Sequence, residues 1–234
     1  MHEVVSQKPV EASHPKASEN APNGWVASGG NGFAARVYVV ADEAALAEQI
    51  RAVVAPTGLS VSCFDSSEAF WTQFDPFHPG CVVVDVDMAS DAGLRLLTRL
   101  ADGPVRVPVV AVSGTQDPCE AIQSMKAGAT DFVPKPLGEE TLCRCVCQAL
   151  AANREQRRQE ARRIEAFACW RHLTPREQEI ARRVAAGVAN RQIAEDLSIS
   201  VRTVETHRAR IMRKMNATNL ATLVRQLMLA EVCS

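Results

Sequence analysis

Short apolar runs alternate with helix-like segments between residues 36 and 151, and this alternation restricts the fold more than any other feature. The five runs are RVYVVA, LSVSCF, CVVVDV, VPVVAVSG and DFVP. Runs of this length that are rich in valine are typical of strands buried on both faces. Because helical segments separate them, the pattern predicts an α/β domain with a five-stranded, doubly wound parallel sheet and helices on both faces.

The remaining chain divides by composition. Residues 1–33 are rich in Pro, Ser, Asn, Gly and Ala without periodicity, which predicts a disordered leader. The α/β domain is predicted over residues 34–151. Residues 152–169 contain a run that is polar on every side, NREQRRQEARR, which fits a helical or a flexible linker, and we favour the helix. Residues 170–234 are predicted to form an all-α domain.

Within the all-α domain, the sequence predicts a helix-turn-helix. Thr174 and Glu177, three residues apart with a proline between them, have the pattern of a capping box at a helix start. Asn190 is expected to cap a short second helix, and a tight turn through Ser198 leads to a basic third helix over about residues 201–215. A fourth helix would complete the domain.

The net charge of -1 conceals two halves of opposite sign. Residues 34–138 carry 13 acidic and 7 basic residues, a net charge of -6, whereas residues 171–234 carry 11 basic and 6 acidic residues, a net charge of +5. The basic half is therefore expected to contact an anion such as DNA.

The sequence also limits the class of protein. It contains no apolar run of about eighteen residues, so neither a membrane span nor a membrane partner is expected. The eight cysteines include no CxxC pair and the N-terminus lacks a signal-peptide core, so we expect a reducing cytoplasm. Cys143 and Cys147 share a helix face and could form a metal or redox site, but buried thiols that pack as apolar groups are favoured.

Polar side chains follow four of the predicted strands at the point where each strand ends. Asp42, Asp85 and Ser113 end the first, third and fourth runs, and Lys135 follows the fifth. The carboxyl ends of parallel strands meet at one edge of a sheet, so these side chains are expected to share a crevice. Two carboxylates can hold Mg²⁺, while a hydroxyl and an ammonium group can bind the oxygens of a transferred phosphoryl group. Asp85, on the central strand, would be the acceptor.

The segments VYVVADE, CVVVDVDMASDAGL, VPVVAVSG and MKAGATDFVPKP resemble the receiver domain of two-component response regulators, which has a flavodoxin-like fold. The resemblance covers about residues 36–150. It implies that Asp85 is the phospho-acceptor and that Mg²⁺ is bound by Asp42, Asp85 and the backbone carbonyl of Asp87.

The resemblance also implies roles for residues on the last two strands. Ser113 would be the switch hydroxyl, Lys135 the cation that pairs with the phosphate, and Phe132 the aromatic residue that follows the switch.

One position departs from the family pattern. Receivers usually have two adjacent acids after the first strand, whereas here Ala41 precedes Asp42. We therefore expect a pocket with one negative charge fewer and weak Mg²⁺ binding. The alternative to an active receiver is a DNA-binding regulator whose receiver is a phosphorylation-independent dimerisation module.

On a helical wheel, residues 201–215 separate into two faces. The apolar face, expected to pack on the domain, comprises Val201, Val204, Ile211, Met212 and Met215. The opposite face, expected to meet base edges in the major groove, comprises Arg202, Glu205, Thr206, Ala209 and Arg213. Thr203, Arg210 and Lys214 flank it, and the basic side chains would contact phosphates. Arg208 falls within the apolar face, and Glu177 is its expected partner.

The stretch LTPREQEIARRVAAGVANRQIAEDLSISVRTVETHRARIMRKM, within about residues 171–230, resembles the LuxR-type output domain of FixJ-like response regulators. Ser198 stands where the family often has glycine, and a left-handed backbone there would cost about 1 kcal/mol.

The two resemblances together imply a DNA-binding transcriptional response regulator. A sensor histidine kinase would phosphorylate it, and phosphorylation would favour a homodimer. The enzymatic alternative is a small α/β phosphatase or hydrolase, which the absence of GxSxG, P-loop and GxGxxG motifs disfavours.

Overall fold

A computed structural model describes residues 35–88, 91–115 and 117–231. The leader predicted over residues 1–33 lies outside the described residues. The chain divides after Asn153 into two compact units, which are described separately below. Within the described ranges, no helix is both long and apolar enough to cross a membrane.

The first unit is built on a parallel sheet. Its strands are β1 (Arg36–Val40), β2 (Ser60–Phe64), β3 (Gly80–Asp85), β4 (Val109–Ser113) and β5 (Asp131–Pro134). They are ordered β2-β1-β3-β4-β5, and every neighbouring pair is parallel. The predicted five-stranded doubly wound sheet is therefore confirmed.

Helices cover both faces of this sheet. They are α1 (Ala44–Val54), α2 (Ser67–Gln73), α3 (Ala92–Ala101), α4 (Pro118–Lys126) and α5 (Glu139–Arg171), with a 3₁₀ turn at Ala55–Thr57. Successive residues of a strand face opposite sides, so each face of β1 contributes to a different core. Val37 and Val39 pack with residues of α1 and α5, whereas Tyr38 and Val40 pack with residues of α2 and α3.

The order of the strands defines where a site can form. From β1 the chain crosses to β2 on one side, and from β3 it crosses to β4 on the other, so a crevice opens at the carboxyl ends of β1 and β3. Gly93 allows α3 to pack closely here, since a Cβ on it would lie 2.4 Å from the carbonyl oxygen of Asp85. A side chain at this position would therefore disturb the strand end that carries Asp85.

Helix α5 continues through the predicted linker. The sequence predicted a domain end at residue 151 and favoured a helical linker over residues 152–169, and α5 runs unbroken through this segment to Arg171. The segment contains neither glycine nor proline, so no residue within it interrupts the backbone hydrogen bonds. The helical interpretation of residues 152–169 is therefore confirmed, as a continuation of α5 and not as a separate helix.

The second unit contains α6 (Pro175–Ala185), α7 (Asn190–Asp196), α8 (Val201–Lys214) and α9 (Leu220–Glu231). Their apolar faces share one core, whose central residues are Ile180, Val184, Ile193, Val204, Ile211, Met215 and Leu223. The capping box at Thr174 and Glu177 is present, as predicted. The predicted cap at Asn190 is wrong, because Ala189 is the N-cap of α7 and Asn190 is its first residue.

A left-handed residue ends α7. Ser198 has a φ of 52°. Its N–H donates to the carbonyl of Glu195, and the N–H of Ile199 donates to the carbonyl of Ala194. This is the Schellman arrangement, in which glycine is the usual left-handed residue. Ser198 therefore has the left-handed backbone whose cost was considered for this position.

We expect Ser198→Gly to raise the free energy of unfolding by about 0.5–1 kcal/mol, because glycine removes the left-handed strain at some cost in chain entropy. Urea denaturation of the full chain, followed by circular dichroism, measures the change. Ser200→Gly is the control: Ser200 has a φ of -75° and caps α8 through its side chain, so no gain is expected there. A lower free energy of unfolding in Ser198→Gly would contradict the inference that the left-handed backbone of Ser198 is strained.

Candidate functional site

At the carboxyl edge of the sheet, hydrogen bonds link three of the four polar residues expected there, Asp85, Ser113 and Lys135, through a shared network. Asp85 is the last residue of β3 and is 3% exposed, and Ser113 is the last residue of β4 and is fully buried. Lys135 follows β5, and Asp42 lies in the exposed turn after β1. Phe132, within β5, is half-buried against the core on the α2–α3 face.

Lys135 forms the centre of the pocket. Its Nζ lies 3.0 Å from both Oδ1 and Oδ2 of Asp85 and donates to this carboxylate. Burial raises the pKa of Asp85 above the ordinary aspartate value, and the hydrogen bond from Lys135 offsets only part of that effect. Burial acts to lower the pKa of Lys135, but hydrogen bonds to Asp85 and Asp87 outweigh it, so this pKa is raised. The ammonium group of Lys135 therefore stabilises the buried carboxylate of Asp85 and is itself stabilised by it.

The side chain of Asp87 also enters the pocket, which the sequence did not predict. Its Oδ1 accepts a 2.6 Å hydrogen bond from Ser113 Oγ. Its Oδ2 accepts from the backbone N–H of Gly114 at 2.5 Å and from Lys135 Nζ at 3.1 Å. Partial burial acts to raise the pKa of Asp87, but these hydrogen bonds outweigh it, so the pKa is lowered. Asp87 is therefore held ionised by three donors.

This contact corrects the expected charge of the pocket. With Ala41 in place of an acid, one negative charge fewer was expected, and Asp87 was assigned only a backbone role. The carboxylate of Asp87 instead lies beside Asp85 on the same ammonium group. The Ala41 methyl group is buried in the core on the α1–α5 face. The pocket therefore contains a carboxylate that the sequence did not place there, and the weak Mg²⁺ binding expected from Ala41 stays a prediction.

Two residues that sequence reasoning missed complete the pocket. Glu120, in the first turn of α4, places Oε2 3.1 Å from Ser113 Oγ. Gly114 supplies the N–H that Asp87 accepts. The position of Glu120 could have been inferred from the cap of α4. Asp117 is a typical N-cap residue and Pro118 a typical first helical residue, which together place Glu120 in the first turn of the helix. Nothing in the sequence indicated the role of the Gly114 amide.

The donor set of the pocket fits Mg²⁺. This ion is usually held by one or two carboxylates with several waters retained, and not by a cage of protein ligands alone. Asp42 and Asp85 supply two carboxylates at neighbouring strand ends, and among the described residues no group of three or more His, Cys, Asp or Glu side chains forms a complete cage. The carbonyl of Asp87 remains a candidate third ligand, and its carboxylate is directed to Ser113, Gly114 and Lys135.

In the second unit, most of the residues expected to contact DNA lie on one exposed face of α8. The exposed members are Arg202, Glu205, Thr206, Ala209, Arg210 and Arg213. Thr203 is half-buried, its N–H donates to the capping oxygen of Ser200, and the two side-chain hydroxyl oxygens lie 2.8 Å apart. Val201, which was placed on the apolar face, is 41% exposed, so that part of the prediction is wrong. The residue lies in the first turn of α8, beyond the packed part of the helix.

Lys214 is engaged within the protein. Its Nζ lies 2.7 Å from Oε2 of Glu177 and 3.3 Å from the carbonyl oxygen of His172. Glu177 is 2% exposed, and although burial acts to raise its pKa, the hydrogen bonds from Lys214 and Thr174 outweigh that effect and lower it. The expected pairing of Arg208 with Glu177 is wrong, because Arg208 donates to Oδ1 of Asn190 at 2.9 Å.

Comparison with known proteins identifies both units. A family model for the response regulator receiver domain matches residues 37–146, and one for bacterial regulatory proteins of the luxR family matches residues 171–227. The transcriptional regulatory protein FixJ of Azorhizobium caulinodans is 37% identical to this chain over 196 residues, which are 84% of this chain and 93% of FixJ. The chain belongs to the response regulators.

Further relatives agree with this response-regulator assignment. The response regulator protein TmoT of Ectopseudomonas mendocina is 35% identical over 189 residues, or 81% of this chain and 86% of TmoT. The solved structure of the response regulator StyR has a TM-score of 0.73 at 33% identity and covers 82% of this chain and 98% of StyR. Full-length FixJ from B. japonicum has a TM-score of 0.51 at 33% identity, covering 86% and 98%. The predicted fold class and both resemblances are confirmed.

In this response regulator, we expect Lys214→Met to lower the free energy of unfolding by about 1–3 kcal/mol, because it leaves the buried Glu177 carboxylate without its cation. Glu177 has a lowered folded-state pKa, so its contribution is present above the ordinary glutamate pKa and is lost as pH falls through the folded-state value. The difference between wild type and Lys214→Met should therefore shrink in acid.

Urea denaturation at neutral and acidic pH measures this effect. Arg213→Met is the control, since Arg213 is an exposed neighbour on α8 and its loss should change stability by less than about 0.5 kcal/mol. If the two variants lowered the free energy of unfolding equally, the Glu177–Lys214 pair would make no specific contribution to stability.

Proposed function

We propose that this response regulator is a transcription factor activated by phosphorylation of Asp85, with a sensor histidine kinase as the donor. The observation that carries the proposal is the position of Asp85: it ends the central strand, and Lys135 lies 3.0 Å from both of its carboxylate oxygens. In the transfer, an Oδ–P bond forms on Asp85 while the bond from phosphorus to the donor's imidazole nitrogen breaks, and that nitrogen keeps the electron pair.

The surrounding residues support this role. Lys135 supplies a fixed positive charge for the phosphoryl oxygens, and Ser113 and Gly114 supply neutral donors on the neighbouring strand end. Receiver domains generally bind Mg²⁺, and here we propose Asp42, Asp85 and the carbonyl of Asp87 as its ligands. When bound, the ion offsets the repulsion between the carboxylates and the incoming phosphoryl oxygens.

The output of phosphorylation is proposed to be a homodimer that binds DNA. Ile122 and Met125 expose about half of their side chains on α4 (53% and 48%), which packs against β5, so an apolar surface adjoins the pocket. A dimer would present two copies of α8 to half-sites about one helical turn apart. Thr203, Glu205, Thr206 and Ala209 are proposed to meet bases, and Arg202, Arg210 and Arg213 to meet phosphates. We propose no DNA contact for Lys214 beyond its pairing with Glu177.

The phosphorylation of Asp85 is testable by intact-protein mass spectrometry. With acetyl phosphate and Mg²⁺, the wild type should gain the mass of one phosphoryl group, whereas Asp85→Asn should gain none because an amide oxygen is a poor nucleophile. Asp102→Asn is the control, since Asp102 is exposed at the far end of α3. An unchanged wild-type mass with a competent donor would favour the phosphorylation-independent receiver.

The face of α8 is testable by the salt dependence of DNA binding. Arg210→Ala should weaken binding to all sequences alike and reduce the slope of log affinity against log salt by about one unit, because one phosphate contact is lost. Thr206→Ala should instead change the preference among sequences. Arg225→Ala, which removes an exposed arginine from α9, is the control and should leave the slope in place. A slope unaffected by Arg210→Ala would contradict this orientation of α8.

A further inference from the structure

The carboxylate of Asp87 contacts the groups that would receive the phosphoryl oxygens. Ser113 Oγ donates to Oδ1 at 2.6 Å, and Oδ2 accepts from Gly114 N and from Lys135 Nζ. Lys135 also binds Asp85, the proposed acceptor, so Asp87 lies directly beside the atom that would be phosphorylated. A carboxylate and a phosphoryl group both present anionic oxygens to such donors, and each forms short, charge-assisted hydrogen bonds with them.

Two of these donors cannot serve both anions at once, because Ser113 has one hydroxyl hydrogen and Gly114 one amide hydrogen, whereas the Lys135 ammonium group has three. Ser113 is fully buried, and its other protein acceptor, Oε2 of Glu120, lies at 3.1 Å, farther than the 2.6 Å to Asp87. The fit at Gly114 is also close, since a Cβ there would lie 3.2 Å from Oδ2 of Asp87. A phosphoryl oxygen that reaches these donors must therefore displace Asp87.

We propose that Asp87 is an internal ligand of the phosphoryl-receiving groups: its carboxylate holds Ser113, Gly114 and Lys135 in the unphosphorylated receiver, and phosphorylation displaces it. The proposal rests on the phosphorylation of Asp85 proposed above and adds how the site is regulated. The internal ligand orders the switch hydroxyl before any phosphoryl group arrives, and it opposes phosphorylation by competing for the same hydrogen bonds.

The first test does not depend on phosphorylation. In ¹H–¹⁵N spectra of the full chain, the Gly114 amide proton should move upfield in Asp87→Ala and in Asp87→Asn, because its charged acceptor is gone. Asp87 is 35% exposed, so these variants are expected to fold. Asp91→Asn is the matched control: Asp91 lines the same cavity beside Asp87, makes no side-chain cap, and occupies a left-handed position that asparagine accepts. Its spectrum should retain the wild-type Gly114 shift.

The second test measures competition with beryllofluoride, an analogue of the phosphoryl group, by ¹⁹F spectra in the presence of Mg²⁺. Asp87→Ala should bind the analogue about tenfold more tightly than the wild type, because a charge-assisted competitor for the same donors is removed. Asp91→Asn removes an equal charge from the cavity without freeing a donor, so it should bind as the wild type does.

The outcomes separate the two proposals. An unmoved Gly114 amide in Asp87→Ala would overturn the proposal that Asp87 is the internal ligand. Equal gains in beryllofluoride affinity for Asp87→Ala and Asp91→Asn would also overturn it, because they would mean that only the charge of the cavity matters. A shifted Gly114 amide with no beryllofluoride bound by any variant would contradict phosphorylation at Asp85 while supporting Asp87 as the ligand of these groups.

Discussion

Lys135 joins two carboxylates at the carboxyl edge of the sheet, and the pocket depends on this contact. Asp85 is almost entirely buried at a strand end, where burial alone makes its ionised form costly. The adjacent Asp87 adds repulsion, which only a cation between the two can offset. Removing the lysine would leave like charges facing each other above a buried core. A separate backbone hydrogen bond joins the end of β5 to the end of β4, because the N–H of Lys135 donates to the carbonyl of Ser113.

The second unit uses a related contact for a different purpose. Glu177 satisfies the first turn of α6 through Thr174, and Lys214 reaches it from the end of α8. A buried carboxylate again depends on a lysine from a distant element of the chain. Here the pair joins the capped helix to the helix that carries the exposed arginines, so it stabilises the domain.

Much of this arrangement could be predicted from the sequence, for identifiable reasons. The strands could be predicted because short runs rich in valine are typical of parallel strands that are buried on both faces. Asp85, Ser113 and Lys135 could be predicted to converge because parallel strands end at the same edge of the sheet. The side chain of Asp87 was not predicted, because the alternation of β3 ends at Asp85 and a loop side chain is directed by tertiary contacts. The partner of Lys214 was missed because a helical wheel orders residues only relative to their own helix.

The replacement of an acid by Ala41 bears on where the second acid of the pocket comes from. Judged by position 41 alone, this receiver would be classified as lacking part of its acidic pocket. The ammonium group of Lys135 nevertheless has two carboxylate partners, Asp85 and Asp87. In this chain the second acid on the ammonium group comes from the loop after β3 and not from the turn after β1, so the charge beside Asp85 depends on how that loop folds.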